Sequence, residues 1–256
     1  MGAACEAAGD CGLAPDLTAD FHAHTAFAGG RDSVGVVVMA AERAGLRQLV
    51  IGDQAGAATT WLPAYQSAIA RAQRRTEVRL KVAIEVEVVR ADGWLDLPRD
   101  LSGLEALSVS VSRVPLHSGP ASAQEVRARL RAGELRPADV AEALVHATAS
   151  GLERASRYAP TQLARPLCLL GQLGLDVDEV DGGLLDGLAG ACRVTGTAVE
   201  VSEAWRAPTP LLAYRLASAG VHLVPASDAF DAGRLAQWEY LRGLRSALDR
   251  VGGVAE

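Results

Sequence analysis

Two histidines lie at i and i+2 in Asp20-Phe21-His22-Ala23-His24-Thr25. If that stretch is a strand, side chains two apart point to the same face, so both imidazoles can reach one metal ion. The stretch follows a Gly/Ala-rich lead and precedes a helical pattern over Ser33–Ala44, closed by Gly45. A strand whose C-terminal tip carries ligands is how barrel enzymes build their sites.

Further candidates fall where other strands should end: Asp53, Glu85, His117 and Asp228. Imidazole mixed with carboxylate suits Zn, Mn or Fe, whereas a calcium or magnesium cage would be richer in oxygen. A lone HxH on a strand is more often polar surface than a metal site, so the pair gains meaning only from these later acids. Glu87 alternates in phase with Glu85 and offers a replacement ligand or an outer contact, and Asp53 could hydrogen-bond a ligand histidine instead of binding metal. His146, inside a helical pattern, reads as a packed or surface residue, and His222 falls at a strand start, opposite the active end.

The elements that would position these groups alternate. Apolar runs at Gln48–Gly52, Leu80–Val89, Ala106–Val111, Ala198–Val201 and Val221–Pro225 read as buried parallel strands. Helical patterns cover Leu62–Arg75, Ala123–Ala132, Pro137–Arg157, Asp181–Thr195, Pro210–Ala219 and Arg234–Val251. Ser33 and Ser122 are placed to cap helix starts, Pro137 and Pro210 suit first turns, and Gly45 and Gly220 supply exits. Such alternation implies a parallel sheet, and polar residues at the strand ends favour its closure into a barrel. Neither GxGxxG after the first strand nor GxxxxGK[ST] is present, so a dinucleotide fold or P-loop has no support.

With 256 residues, 49% of them hydrophobic, the chain can bury a full core. No Pro/Ser-rich or charge-block linker divides it, which predicts one domain over 16–256 after a disordered lead over 1–15. A net charge of −6 excludes an extended nucleic-acid surface. No membrane span or signal peptide is indicated, and scattered Cys5, Cys11, Cys168 and Cys192 read as reduced thiols. A cytoplasmic protein is expected.

Taken in order, these segments resemble the PHP (polymerase and histidinol phosphatase) family. The opening DFHAHT resembles its DxHxHT motif, Val50-Ile51-Gly52-Asp53-Gln54 its TDH motif and Ala83-Ile84-Glu85 its GxE strand. Leu163-Ala164-Arg165-Pro166 resembles the AHP segment, and Ala226-Ser227-Asp228-Ala229-Phe230 the closing SDAH. The resemblance spans about Asp20 to Tyr240 and implies a distorted (β/α)7 TIM-like barrel, a metal-dependent phosphoesterase. It implies one metal held by His22, His24, Glu85 and Asp228. A third site is erased, since its positions are Gly30, Gln54 and Phe230. A second has Arg165 in place of histidine, with His117 either its remaining ligand or displaced onto a loop.

The expected activity is hydrolysis of a small phosphate monoester or related ester through a metal-bound hydroxide. His117, Arg165 and Asp53 are the expected catalytic groups, and Arg165, Arg206 and Glu203 the expected substrate contacts. Arg165 could bind phosphate, pair structurally, or mark decay. Two alternatives stay open: a biosynthetic hydrolase or lyase on a carboxylate or amide substrate, and a pseudoenzyme used as a binding module. The partner is a small, anionic molecule, with no nucleic acid or membrane, and oligomeric state is left open.

Overall fold

The computed structural model describes residues 15–252. The expectation for the N-terminal lead lies outside the described residues, apart from Pro15.

Seven parallel strands form one sheet: β1 (Ala19–Ala23), β2 (Gln48–Gln54), β3 (Arg79–Glu87), β4 (Ala106–Ser110), β7 (Thr161–Leu163), β8 (Ala198–Ser202) and β9 (Leu223–Ala226). A separate antiparallel hairpin, β5 (Val114–Leu116) with β6 (Gly119–Ala121), is inserted after β4. The sheet closes between its ends. His24 N–H donates to the Ala229 carbonyl and Asp228 N–H to the His22 carbonyl, each at 2.9 Å, and Ala23 bridges Ala229 in parallel. The expected seven-stranded barrel is therefore observed.

Helices α1 (Val34–Arg43), α2 (Leu62–Gln73), α3 (Ala123–Arg131), α4 (Pro137–Ala155), α5 (Cys168–Leu173), α6 (Gly182–Thr195), α7 (Pro210–Ser218) and α8 (Tyr240–Gly252) connect and flank the strands. Their apolar faces pack with the strand residues Leu49, Ile51, Ile84, Leu107 and Val199, all 0% exposed. Burial on this scale, at about 25 cal/mol per Å² of apolar area, is the main stabilising term. From α2, the buried Tyr65 hydroxyl donates to the Ile51 carbonyl at 2.6 Å and fixes the helix against β2.

The end signals work as chemistry dictates, with one exception. The Ser122 hydroxyl accepts from Glu125 N–H at 3.2 Å, while Ser33 sits at its N-cap position without a side-chain bond. Gly45 and Gly220 exit their helices at φ +71° and +80°. The last helix starts at Tyr240, six residues after the expected Arg234. Its start is set by Glu203, whose carboxylate accepts from the N–H groups of Glu239, Tyr240 and Leu241 at 2.8–3.1 Å. Among the described residues, no helix is long and apolar enough to cross a membrane.

Candidate metal centre

Because all seven strands are parallel, their C-terminal ends share one mouth, and the sequence-predicted residues meet there. His22 and His24 leave β1, Glu85 lies on β3, and Asp228 follows β9; each is at most 3% exposed. His22 Nε2 is 3.4 Å from Glu85 Oε2, His24 Nε2 is 3.7 Å from the same oxygen, and His24 Nε2 is 3.1 Å from Asp228 Oδ1. Ligand atoms on a tetrahedral zinc with bonds of 2.0–2.2 Å stand about 3.3–3.6 Å apart. The observed spacings bracket that edge, and one ligand atom each from His22, His24 and Glu85 lies within 4.8 Å of the others, so these three could hold a metal ion; Asp228 adjoins them through His24, and His22 Nε2 also lies 3.1 Å from the Gly52 carbonyl.

What surrounds these groups also fits. The opposite nitrogen of His22, Nδ1, lies 2.9 Å from Glu200 Oε2. Glu200 is held in turn by Gln162 Nε2 at 2.8 Å and by the Ser108 hydroxyl. A carboxylate on the far nitrogen fixes tautomer and ring orientation, as it does for metal-binding histidines generally. Glu200, Ser108 and Gln162 were not among the sequence-predicted site residues. The signals available were an acid in the middle of the apolar run Ala198–Val201 and the likeness of Glu200-Val201-Ser202 to a PHP-family segment that usually reads ExN. Replacing Glu200 by Gln should weaken Zn²⁺ binding about 10- to 100-fold, measured by calorimetric titration; unchanged affinity would show that the ring is oriented otherwise.

Asp53 stands behind the other histidine. It accepts from Thr25 N–H at 2.8 Å and from the Thr25 hydroxyl, with its Oδ1 4.0 Å from His24 Nδ1. His24 Nδ1 is buried with no hydrogen-bond partner. Asp53 thus bonds Thr25 rather than a histidine.

Arg165 is the dominant charge. It follows β7, is 8% exposed, and its guanidinium bonds Glu85 through Nη2 and Asp228 Oδ2 through Nη1, the latter at 3.1 Å. Its other side faces the Trp205 ring, 5.4 Å from the centroid. Burial alone would raise the Glu85 carboxyl, but the hydrogen bond from His22 and the charges of Arg165 and His22 hold it well below the usual carboxylate range. Burial likewise opposes ionisation of Asp228, yet the His24 hydrogen bond with the His22 and Arg165 charges brings it down to about 2.

Four sequence expectations are narrowed or corrected. His117 is exposed in the turn joining β5 and β6, the loop displacement that sequence had allowed, because the hairpin projects from the sheet. Glu203 has its carboxylate engaged in capping α8 and also lines the cavity beside Asp228. Arg206 is exposed over the Tyr240 ring at 5.7 Å, and it lines an open cavity of about 1170 Å³ that reaches Ser227 and Asp228. Glu87 accepts from Ser112 N–H at 2.6 Å and from the Ser110 hydroxyl, so it is an outer residue.

The Phe230 ring stacks on His24 at 4.2 Å between centroids and packs against Gly29, near Gln54. Gly30 lies against the backbone of His24 and Thr25, so closely that a Cβ there would stand 2.7 Å from Thr25 N. An apolar ring thus covers the outer face of His24. Phe230→His should leave the bound-metal count unchanged, because Gly30 and Gln54 offer no further strong ligand; an added equivalent by elemental analysis would contradict this.

The buried acids also set a pH dependence for the metal-free protein. Glu85 and Asp228 have depressed pKa values, so their stabilising contribution is full above about pH 4 and is lost as pH falls towards about 2. Asp20, with one carboxylate oxygen unpaired, is raised by burial to about 7. In the pH range between the ordinary aspartate value and 7 the folded chain binds the extra proton, and stability falls as pH rises. His22 acts in the same direction above its ordinary value: burial would lower it, but Glu200 and the neighbouring acids lift it well above. The thermal midpoint of metal-free protein should therefore peak near pH 4–5. A midpoint that climbs steadily from pH 4 to 8 would refute the assignment.

A scan against protein-family models matches none, and no curated protein sequence matches this chain. Solved structures do. The HisK structure from Listeria monocytogenes, a candidate histidinol phosphatase, superposes with a TM-score of 0.65 at 11% identity, covering 86% of this chain and 97% of that one. A histidinol phosphate phosphatase from Lactococcus lactis, complexed with Zn, L-histidinol and phosphate, gives 0.61 at 12% identity, with coverage of 91% and 93%. At these identities the shared property is the fold: this chain has the barrel fold of the histidinol phosphatase structures.

Proposed function

We propose that this chain is a PHP-type phosphoesterase that hydrolyses a small phosphate monoester with one divalent metal held by His22, His24, Glu85 and Asp228. The observation that carries the reading is the clustering of His22, His24 and Glu85 ligand atoms within 4.8 Å of one another, with Asp228 Oδ1 3.1 Å from His24 Nε2, at the mouth of a fold shared with histidinol phosphatases. When bound, such a metal polarises a phosphoryl oxygen and acidifies a water molecule.

The chain's own groups do the rest. Glu200 orients His22, and Asp53 holds Thr25, the residue next to His24, through its N–H and hydroxyl. Arg165 places a fixed positive charge beside the carboxylates, where it offsets charge developing on the phosphoryl oxygens. Arg206, at the wall of the cavity beside Asp228, is positioned to draw in an anionic substrate. Zinc is the first metal to test, since the Lactococcus protein holds it, with Mn and Fe equally compatible with the donors. The free, buried thiol of Cys192 supports the cytoplasmic compartment.

The test is inorganic phosphate release from a panel of phosphate monoesters, histidinol phosphate included, by protein stripped with chelator and reloaded with Zn, Mn or Fe(II). Release by a reloaded sample and its loss on chelation are expected. No release from any ester with any metal would reject the activity. One observation favours a second reading: Arg165 pairs with both acids, as a cation replacing all metal in a binding module would. Protein that takes up no metal would support that alternative.

A further inference from the structure

We infer that Arg165 is a built-in second cation: its guanidinium fills the place between Glu85 and Asp228 where another ion could bridge them, and so limits this barrel to one metal. The inference rests on the metal reading above and adds a stoichiometry to it.

Arg165 contacts both carboxylates. Glu85 sets Oε2 3.4 Å from His22 Nε2, while that oxygen also accepts from Arg165 Nη1 at 3.3 Å and Oε1 accepts from Arg165 Nη2. Asp228 sets Oδ1 at 3.1 Å from His24 Nε2, while its Oδ2 accepts from Arg165 Nη1 at 3.1 Å. Each acid therefore bridges two positive positions, and one of those is already taken by a charge tethered to the chain. An ion entering there must displace a guanidinium bonded to both acids and roofed by Trp205.

The backbone commits both partners to this arrangement. Arg165 and Asp228 adopt φ +47° and +52°, a region that non-glycine residues occupy when their surroundings over-determine them. The guanidinium already brings a buried positive charge against both acids, so an ion entering beside it would set like charge against like charge in a buried site, which is costly.

The full chain, stripped of metal, is titrated with Zn²⁺ alone by calorimetry and analysed for bound zinc after desalting. One equivalent is expected for the parent and for Arg165→Lys, which keeps the charge. Two are expected for Arg165→His, the second weaker than the first. Circular dichroism checks folding, and if the histidine variant does not fold, Arg165→Gln carries the same expectation of binding beyond one equivalent. Two equivalents in the parent, or a folded neutral variant that stops at one, overturns the inference and leaves the metal reading standing. A parent that binds no zinc overturns the metal reading itself, and this inference with it.

Discussion

Replacing Glu85 by Gln should cut metal-dependent phosphate release by about 10³-fold or more and remove most bound metal. Glu85 is the only one of the four proposed ligands that approaches both histidines, with Oε2 3.4 Å from His22 Nε2 and 3.7 Å from His24 Nε2. An amide is a weaker ligand and carries no charge to neutralise a cation. A bound metal contributes several kcal/mol of transition-state stabilisation, and each 1.36 kcal/mol is a factor of ten, so a loss of about 4 kcal/mol gives the stated magnitude. The parent and the variant are compared by phosphate release at saturating metal and by elemental analysis of the same samples. Retained metal with lost turnover would shift Glu85 from ligand to direct participant in the reaction. Retained turnover would remove the site from consideration.

Much of the site could be read before the fold was known, because its parts are local. His22 and His24 are two residues apart at the end of a strand, Glu85 lies within one apolar run, and Asp228 closely follows another. Most of what escaped reading is non-local. β7 has three residues, Thr161–Leu163, too few and too polar to show a pattern, and it exists because β4 and β8 pair with it on either side. The β5–β6 hairpin has a proline in each strand, Pro115 facing Pro120, so its sequence reads as loop and took His117 with it. Glu203 read as pocket chemistry alone, and the start of α8 on its carboxylate was hidden. Glu200 sits in an apolar strand where its charge is unexplained until His22, 178 residues away, is brought to 2.9 Å. For β7, Glu203 and Glu200 the deciding partner lies far along the chain, whereas the hairpin is local and is hidden by its prolines.

Arg165→Ala should lower the thermal midpoint of the metal-free protein by roughly 6–20 °C and reduce turnover of the metal-loaded enzyme by about 10²-fold. The stability loss follows from the burial of Glu85 and Asp228, at 3% and 1% exposure. Removing the guanidinium leaves both acids with the His22 and His24 contacts but without one of the charges that hold their pKa values down. Breaking a buried pair of this kind costs about 3–5 kcal/mol, and each kcal/mol moves the midpoint of a domain this size by roughly 2–4 °C. The turnover loss follows from removing one preorganised charge near the phosphoryl group, worth about 10²–10³. Saturating Zn²⁺ should recover much of the stability, since an added cation can neutralise the exposed oxygens, but not the turnover if the guanidinium itself meets the substrate. The two readouts thus divide the three roles open to Arg165. A structural partner would lose stability alone. A phosphate-binding cation would lose turnover as well, with a raised KM for the more highly charged esters. A residue left over from a decayed site would lose neither, and melting curves with and without Zn²⁺ beside phosphate-release kinetics would distinguish all three.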